Sequence, residues 1–329
     1  MASLPLKRKF DEVDYYGAFF LLPAVVCLLL ALQWGGTVYA WNSSRIIGLF
    51  VGFGIMILIF IAIQIYRGDK ATLPLSVLKQ RTVASACLFL FFEGAALFVL
   101  IYYSILPIPT KLTLVPIYFQ AVKGSSPSES GLQLLPLMLS VVIMGFIAGI
   151  IVTLWGYYTP FIIAGAAIFT IGAGLITTFT VDQADWRAYG FTIVAGIGCG
   201  MALQNAFMSI QVVLPQATLS VGNAAVMFSQ TLSGAVFLAV SQSVLSNGLV
   251  SHIQEKIPDL DPAMIVAAGA TGIRNLVTAE QLPLVLEAYN SAVRDVFIMA
   301  VALGGASFIA TLGFEWKSIK GKNLLASVA

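Results

Sequence analysis

The sequence predicts an all-α polytopic membrane protein with about eight transmembrane helices, and two observations lead to this fold class. The first is composition: 59% of the 329 residues are hydrophobic and only 10% are Asp, Glu, Lys or Arg, whereas about a quarter of the residues in a soluble domain are charged. The second is that the apolar residues form runs of about 20, the length that a helix needs to cross a bilayer. A surface with so few charges would not stay in water, so we expect the chain in lipid.

Eight runs satisfy this length criterion. In chain order they are Tyr15–Trp34, Ile46–Tyr66, Val83–Tyr103, Leu132–Thr153, Pro160–Thr180, Ala188–Val213, Val221–Leu245 and Val296–Phe314. Most links between them are short and polar, so neighbouring helices should be antiparallel. Eight crossings place both chain ends on the same side of the membrane. Pro136, inside the fourth run, predicts a kink there.

The distribution of Lys and Arg predicts which side that is. With a cytoplasmic amino terminus, the inner segments hold the larger share of the basic residues, as the positive-inside rule requires. These are Lys7, Arg8, Lys9, Arg67, Lys70, Lys79, Arg81, Lys317, Lys320 and Lys322. The outer segments hold Arg45, Lys111, Lys123, Arg187, Lys256, Arg274 and Arg294. We therefore expect both termini in the cytoplasm.

Two connections are long. In the outer loop 247–295, Thr278 with Gln281 forms a capping-box pattern, and apolar residues follow it at helical spacing from Leu282 onward. This pattern predicts a surface helix that runs into the last span. The other connection, 104–131, has three prolines that prevent a continuous helix, namely Pro107, Pro109 and Pro116.

Several function classes are not supported by the residues present. The basic residues are dispersed, which does not suit nucleic-acid binding. His252 is the one histidine, and the three cysteines lie within apolar runs without metal-ligand spacing, so we predict no metal site and no cofactor. No nucleophile, phosphate-loop or paired-carboxylate motif is present, so we do not expect an enzyme.

Glycines in the apolar runs recur at a spacing of four residues. Gly145 with Gly149, and Gly196 with Gly200, are pairs of this kind. Gly196–Gly200 also resembles a fragment of a dinucleotide-binding fingerprint, but no strand precedes it. Glycines at this spacing let membrane helices approach closely, so we predict that these four residues pack helices together.

Glu93 lies at the centre of the third run and is the one acid that we place deep in the membrane. An ionisable group at that depth is costly and is by default a functional candidate. One interpretation is a proton-titrating group that couples transport to proton flow. The other is a neutral acid that forms a hydrogen bond to a neighbouring helix.

Uncharged polar residues form two stripes in the sixth and seventh runs. Their amide members are Gln204, Asn205 and Gln211 in the sixth run, and Asn223 and Gln230 in the seventh. In lipid, amides must bond to other helices or line a wet cavity. Both a substrate cavity and plain interhelical bonding explain the stripes. A cavity with amides, Met208 and phenylalanines would suit an amphipathic or apolar organic solute.

Several stretches resemble the carboxy-terminal part of fungal major facilitator superfamily transporters of the fourteen-span drug:proton antiporter family. These are Leu29–Gly36, Gln80–Ala84, Pro116–Gly124, Ser130–Pro136, Trp155–Phe161, Met227–Gly234, Ala288–Asn290 and Glu315–Lys322. The resemblance implies export of small organic molecules (toxins, secondary metabolites or drugs) driven by inward proton flow, with alternating access. It also implies a plasma-membrane or vacuolar-membrane location.

The same resemblance implies a domain organisation. It assigns 1–14 to a cytoplasmic segment and 15–81 to two linker helices with a cytoplasmic loop. It assigns 82–314 to the six-helix carboxy-terminal half, with the extracellular loop 247–295, and 315–329 to a cytoplasmic tail. The family's amino-terminal six-helix half is missing from this sequence, and we expect transport to require it.

The sequence departs from the family pattern elsewhere too. Residues 104–115 interrupt what the family reads as a direct join, and Leu154 and Trp155 stand where the family has a basic residue before its Gly-Tyr-Tyr-Thr-Pro turn. The family does not generally carry an acid at the position of Glu93. The alternative to a transporter is a truncated, non-transporting membrane fragment that is inert or binds a partner.

Overall fold

The computed structural model describes residues 14–36, 38–68, 71, 73–104, 134–180, 185–258, 260–262, 264–265, 277–278 and 280–320. The predictions for residues 1–13, for the insertion and prolines that follow Ser104, and for residues 321–329 lie outside these ranges. Within them the chain forms nine helices. They are α1 Tyr15–Trp34, α2 Ser44–Arg67, α3 Leu75–Leu78, α4 Arg81–Ser104, α5 Leu135–Trp155, α6 Thr159–Ile176, α7 Asp185–Val213, α8 Gln216–Lys256 and α9 Leu282–Thr311.

The eight long helices correspond to the eight predicted runs, and each is long and apolar enough to cross a membrane. Side-chain caps precede the first two of them. The carboxylate of Asp14 accepts a hydrogen bond from the backbone N–H of Gly17 at 2.8 Å, and the hydroxyl of Ser43 accepts one from Ile46. Such caps satisfy the unpaired N–H groups of a first helical turn.

The start of α9 has the predicted capping box. The backbone N–H of Gln281 donates to the hydroxyl oxygen of Thr278, and the backbone N–H of Thr278 donates to the side-chain oxygen of Gln281, both at 3.4 Å. The helix then continues without a break to Thr311, so the prediction of a surface helix running into the last span is confirmed. The predicted kink at Pro136 is wrong, because α5 begins at Leu135. Proline fits the first turn, where its missing N–H has no helical partner to lose.

Two helices are much longer than their predicted spans. Helix α8 has 41 residues and α9 has 30, and at 1.5 Å per residue α8 is about 60 Å long. A hydrocarbon core is about 30 Å thick, so both helices extend past it at the same end. Two polar contacts join the extensions: a hydrogen bond between His252 and Asp295 at 3.0 Å and an ion pair between Lys256 and Glu287 at 2.9 Å. We call this end of the bundle the His252 end.

The helices form one bundle with α4 and α7 at its interior. Helix α7 packs along α5 and α6, and α4 packs along α8 and α9. Most residues of α4 and α7 are buried, whereas few residues of α1, α2 and α5 are. Helices α1 and α2 pair with each other and attach to the rest mainly through α1 and α8.

The opposite end of the bundle, which we call the Glu315 end, is held by polar contacts around the segment after α9. The carboxylate of Glu315 accepts hydrogen bonds from Thr82 at 3.1 Å and from Gln80 at 3.2 Å. Its backbone carbonyl accepts one from the hydroxyl of Tyr158 at 2.8 Å. Because Gln80 and Thr82 lie at the start of α4 and Tyr158 lies in the turn between α5 and α6, these bonds join three parts of the bundle.

Candidate solute groove and buried carboxyl

A groove of about 740 Å³ runs between α5 and α7, and Gln230 of α8 also lines it. Most of its lining is apolar, with Phe146 and Ile150 from α5 and Met208 from α7. Its polar side chains are Thr153, Gln204 and Gln230. No charged side chain of the described residues lines it.

Glycines set the distance between the two walls of this groove. A Cβ atom on Gly196 would lie 2.6 Å from the carbonyl oxygen of Leu137, and one on Gly200 would lie 3.0 Å from the backbone nitrogen of Gly145. Helices α5 and α7 therefore touch backbone to backbone at these glycines. A Cβ on Gly149 would meet no atom within 4 Å. Gly149 lies in the groove lining, where the absent side chain adds to the open space.

The structure brings two of the five predicted amide residues together in the groove. Gln204 is exposed there, and Gln230 is half-buried. Gln211 and Asn223 are half-buried and lie outside the lining. Asn205 is fully buried, and its side-chain nitrogen donates to the carbonyl of Met201 one turn earlier at 2.7 Å. Its role in a solute path stays a prediction, as do those of the other four.

Glu93 is fully buried between helices rather than in the groove lining. The Oγ of Ser307, on α9, lies 2.6 Å from its Oε2. Its Oε1 has no hydrogen-bond partner within the described residues. The sequence pattern points to Glu93 but not to Ser307, whose position in a run of small residues (Gly304-Gly-Ala-Ser) gives no sign of a partner 214 residues away.

The hydroxyl of Ser307 can serve either protonation state of Glu93. Its Oγ lies 2.6 Å from Glu93 Oε2 and 2.7 Å from the carbonyl oxygen of Gly304, but a hydroxyl has one hydrogen. With an ionised carboxylate, Ser307 donates to Oε2. With a protonated carboxyl, Ser307 donates to Gly304 and accepts the carboxyl hydrogen on its lone pair. The Ser307 contact is therefore compatible with both the ionised and the protonated carboxyl.

The groups at the Glu315 end have altered acidities. The hydrogen bond from Lys317, at 2.8 Å, lowers the pKa of Glu315 below its ordinary value, and the bond from Thr82 acts in the same direction. Burial raises the pKa of Tyr158 to about 12, against the smaller effect of its hydrogen-bond partners. Glu315 is therefore ionised and Tyr158 is neutral at physiological pH.

Eight helices that are long and apolar enough to cross a membrane, together with a largely apolar groove and a buried carboxyl, describe a multi-pass membrane protein. The comparisons with known proteins identify its relatives. The chain is 42% identical to the MFS-type efflux pump MFS1 of Arthroderma benhamiae over 98% of its own length. It is also 42% identical to efflux pump roqT of Penicillium rubens over 96%, and to efflux pump aflT of Aspergillus parasiticus over 94%.

The chain is thus a homologue of part of the fungal major facilitator superfamily (MFS) transporters, as its resemblance to them predicts. It spans 56–58% of the length of these three relatives. No family model matches the chain.

Proposed function

We propose that these residues form the solute-binding part of a transporter that exports small organic molecules in exchange for protons by alternating access. The names of the relatives support efflux as the direction of transport. They do not favour an inert membrane fragment as the alternative.

The observation that carries this proposal is the presence of Gln204 and Gln230 in an open groove. Both residues lie well inside their helices, α7 and α8, and neither amide donates a hydrogen bond to another described residue. An amide that faces hydrocarbon without a partner is costly. The groove therefore suits water, a solute or further protein better than lipid.

The rest of the groove fits a small organic solute. Its walls are apolar and aromatic, and its few polar groups are uncharged. Ligand sites of this type bury an apolar molecular body and orient it with a small number of hydrogen bonds. A small organic molecule with one or two polar groups suits both features.

The proposed transporter includes more than the described bundle. The relatives are longer than this chain, and transporters of this kind bind solute between two halves that move against each other. We propose that a further six-helix half closes the groove. The distribution of Lys and Arg supports cytoplasmic termini, which would place the Glu315 end inside and the His252 end outside.

Glu93 is the proposed proton carrier. It is fully buried, and its one described hydrogen-bond partner, Ser307, can serve both the ionised and the protonated form. Such a group can bind a proton from one side of the membrane and release it to the other as access alternates.

Cysteine accessibility tests the groove. In a background with Cys27 and Cys87 replaced by Ala, a Gln204→Cys variant in vesicles should react with a membrane-impermeant thiol reagent, and an exported solute should slow the reaction. The control is Ile171→Cys on α6, where the side chain is exposed but lies outside the groove. Equal reactivity of the two thiols would contradict a wet groove.

A further inference from the structure

Gly94 connects the groove with the buried carboxyl. It follows Glu93 in α4, and a Cβ atom there would lie only 2.7 Å from the Cγ of Gln230. The side chain of Gln230 therefore lies directly on the α4 backbone next to Glu93. The same side chain lines the groove. Among the described groove residues, Gln230 is the one that lies against Gly94.

The polar surroundings of Glu93 contain one unfilled acceptor. Helix α9 supplies Ser307, and α7 supplies the thiol of Cys199, close enough to interact electrostatically with Glu93. Helix α8 brings Gln230 and Ser233 against Gly94, and Ser233 already donates to the carbonyl of Gln230 at 2.8 Å. The short helix α3 has no titratable side chain. Gln230 thus packs on the residue that follows Glu93, and its amide donates no hydrogen bond to another described residue.

We infer that Gln230 couples solute binding to proton release, an inference that rests on the proposed antiport function. With the groove empty, the Gln230 amide occupies groove space, and Oε1 of Glu93 lacks a donor. A solute that fills the groove displaces the amide toward α4, where its N–H can bond Oε1. A hydrogen bond to the carboxylate favours the ionised form, so the solute and the proton oppose each other. Gln230 is a positioning residue in this scheme.

The glycine at position 94 is a requirement of the same scheme. A methyl group there would occupy the place of the Gln230 side chain, since 2.7 Å is well inside ordinary contact distance. We therefore expect Gly94→Ala to weaken the coupling even though it removes no polar group. Gly305→Ala on α9 is the matched control, because a Cβ at that position meets no atom within 4 Å.

The test measures binding of Nile red, a neutral apolar dye, to the purified full chain in lipid nanodiscs between pH 5 and pH 9. One linked proton changes affinity by at most about tenfold per pH unit. We expect the affinity of the wild type for the dye to rise at least about threefold for each unit of rising pH within the range where Glu93 titrates. Gln230→Leu and Gly94→Ala should lose most of this slope, and Gly305→Ala should keep it.

Each outcome bears on a different claim. A pH-dependent wild type whose slope survives in Gln230→Leu overturns the role of Gln230 and leaves the proposed function standing. A wild type that binds the dye equally at all pH values overturns the link between solute and proton. Failure of the wild type to bind the dye overturns the groove as a solute site, and with it this inference. If Gly94→Ala does not fold, Gln230→Leu decides alone.

Discussion

The contact between α6 and α7 should tolerate no side chain at Gly198. A Cβ atom there would lie 2.6 Å from the carbonyl oxygen of Gly165 and 2.7 Å from the Cα of Phe169. The backbone nitrogen of Phe169 is nearer still, and all three atoms belong to helix backbone, which cannot rotate away as a flexible side chain can. The Gly198→Ala variant must therefore push the two helices apart.

The structure gives the size of this effect. Ordinary contacts of a Cβ begin near 3.4 Å, so the helices must separate by roughly 1 Å along a well-packed interface. Overpacking of this kind costs about 1–3 kcal/mol. Alanine gains back up to about 1 kcal/mol over glycine in a helix. Gly174→Ala in α6 is the control. A Cβ atom there meets no atom within 4 Å, so this substitution should only stabilise the helix.

The assay follows the next residue along the chain, Cys199, which is fully buried. With Cys27 and Cys87 replaced by Ala, a maleimide dye reports the exposure of the Cys199 thiol on heating in detergent. In domains of about 150–250 residues, 1 kcal/mol shifts the melting temperature by about 2–4 °C, and the shift becomes smaller as the chain becomes longer. We expect Gly198→Ala to melt several degrees below Gly174→Ala. Equal melting temperatures would refute the account of the α6–α7 contact.

Three further predictions concern the ends of the bundle. The pKa of Glu315 is lower in the folded protein than its ordinary value of 4.5, so the bonds of the ionised carboxylate stabilise the fold above pH 4.5 and lose this effect as the pH falls through the folded pKa. The melting temperatures of wild type and Glu315→Gln should therefore converge in acid. A constant difference down to pH 2 would contradict this. Gly156 has φ of +97°, and its Cβ would lie 3.0 Å from Lys320 Cγ, so Gly156→Ala should destabilise by more than the roughly 1–2 kcal/mol of the left-handed backbone alone. The same melting assay measures this loss, and a Gly156→Ala variant with the wild-type melting temperature would contradict it. Thr278→Ala should remove about 1 kcal/mol of capping from α9 and speed hydrogen exchange near Leu282; unchanged exchange would mean that the cap does not hold this end.

The sequence predicts the number and order of the spans because a helix that crosses a bilayer needs about 20 apolar residues, and such runs can be read directly from the sequence. It does not predict that α8 continues to Lys256, since a window for apolar residues ends where polar ones begin. The extension is held instead by contacts with α9, such as the pair of His252 with Asp295. Those contacts join residues 43 positions apart.

The candidate site could be predicted in composition but not in arrangement. Gln204 and Asn205 are neighbours in the sequence, yet one is exposed in the groove and the other is fully buried. Successive residues on a helix point about 100° apart, so the rotation of α7 decides which of them faces the groove. That rotation depends on backbone contacts at Gly196 and Gly200, which only the folded bundle shows.

The central claim is that this bundle exchanges an organic solute for protons through Glu93. It is tested most directly by solute efflux against pH from vesicles that contain these residues together with the further six-helix half, with wild-type Glu93 and with Glu93→Gln. Glu287→Gln is the control, since the same substitution there affects only an exposed ion pair with Lys256. We predict that Glu93→Gln flattens the pH dependence and that Glu287→Gln retains it. A Glu93→Gln variant with the wild-type pH profile would contradict the claim.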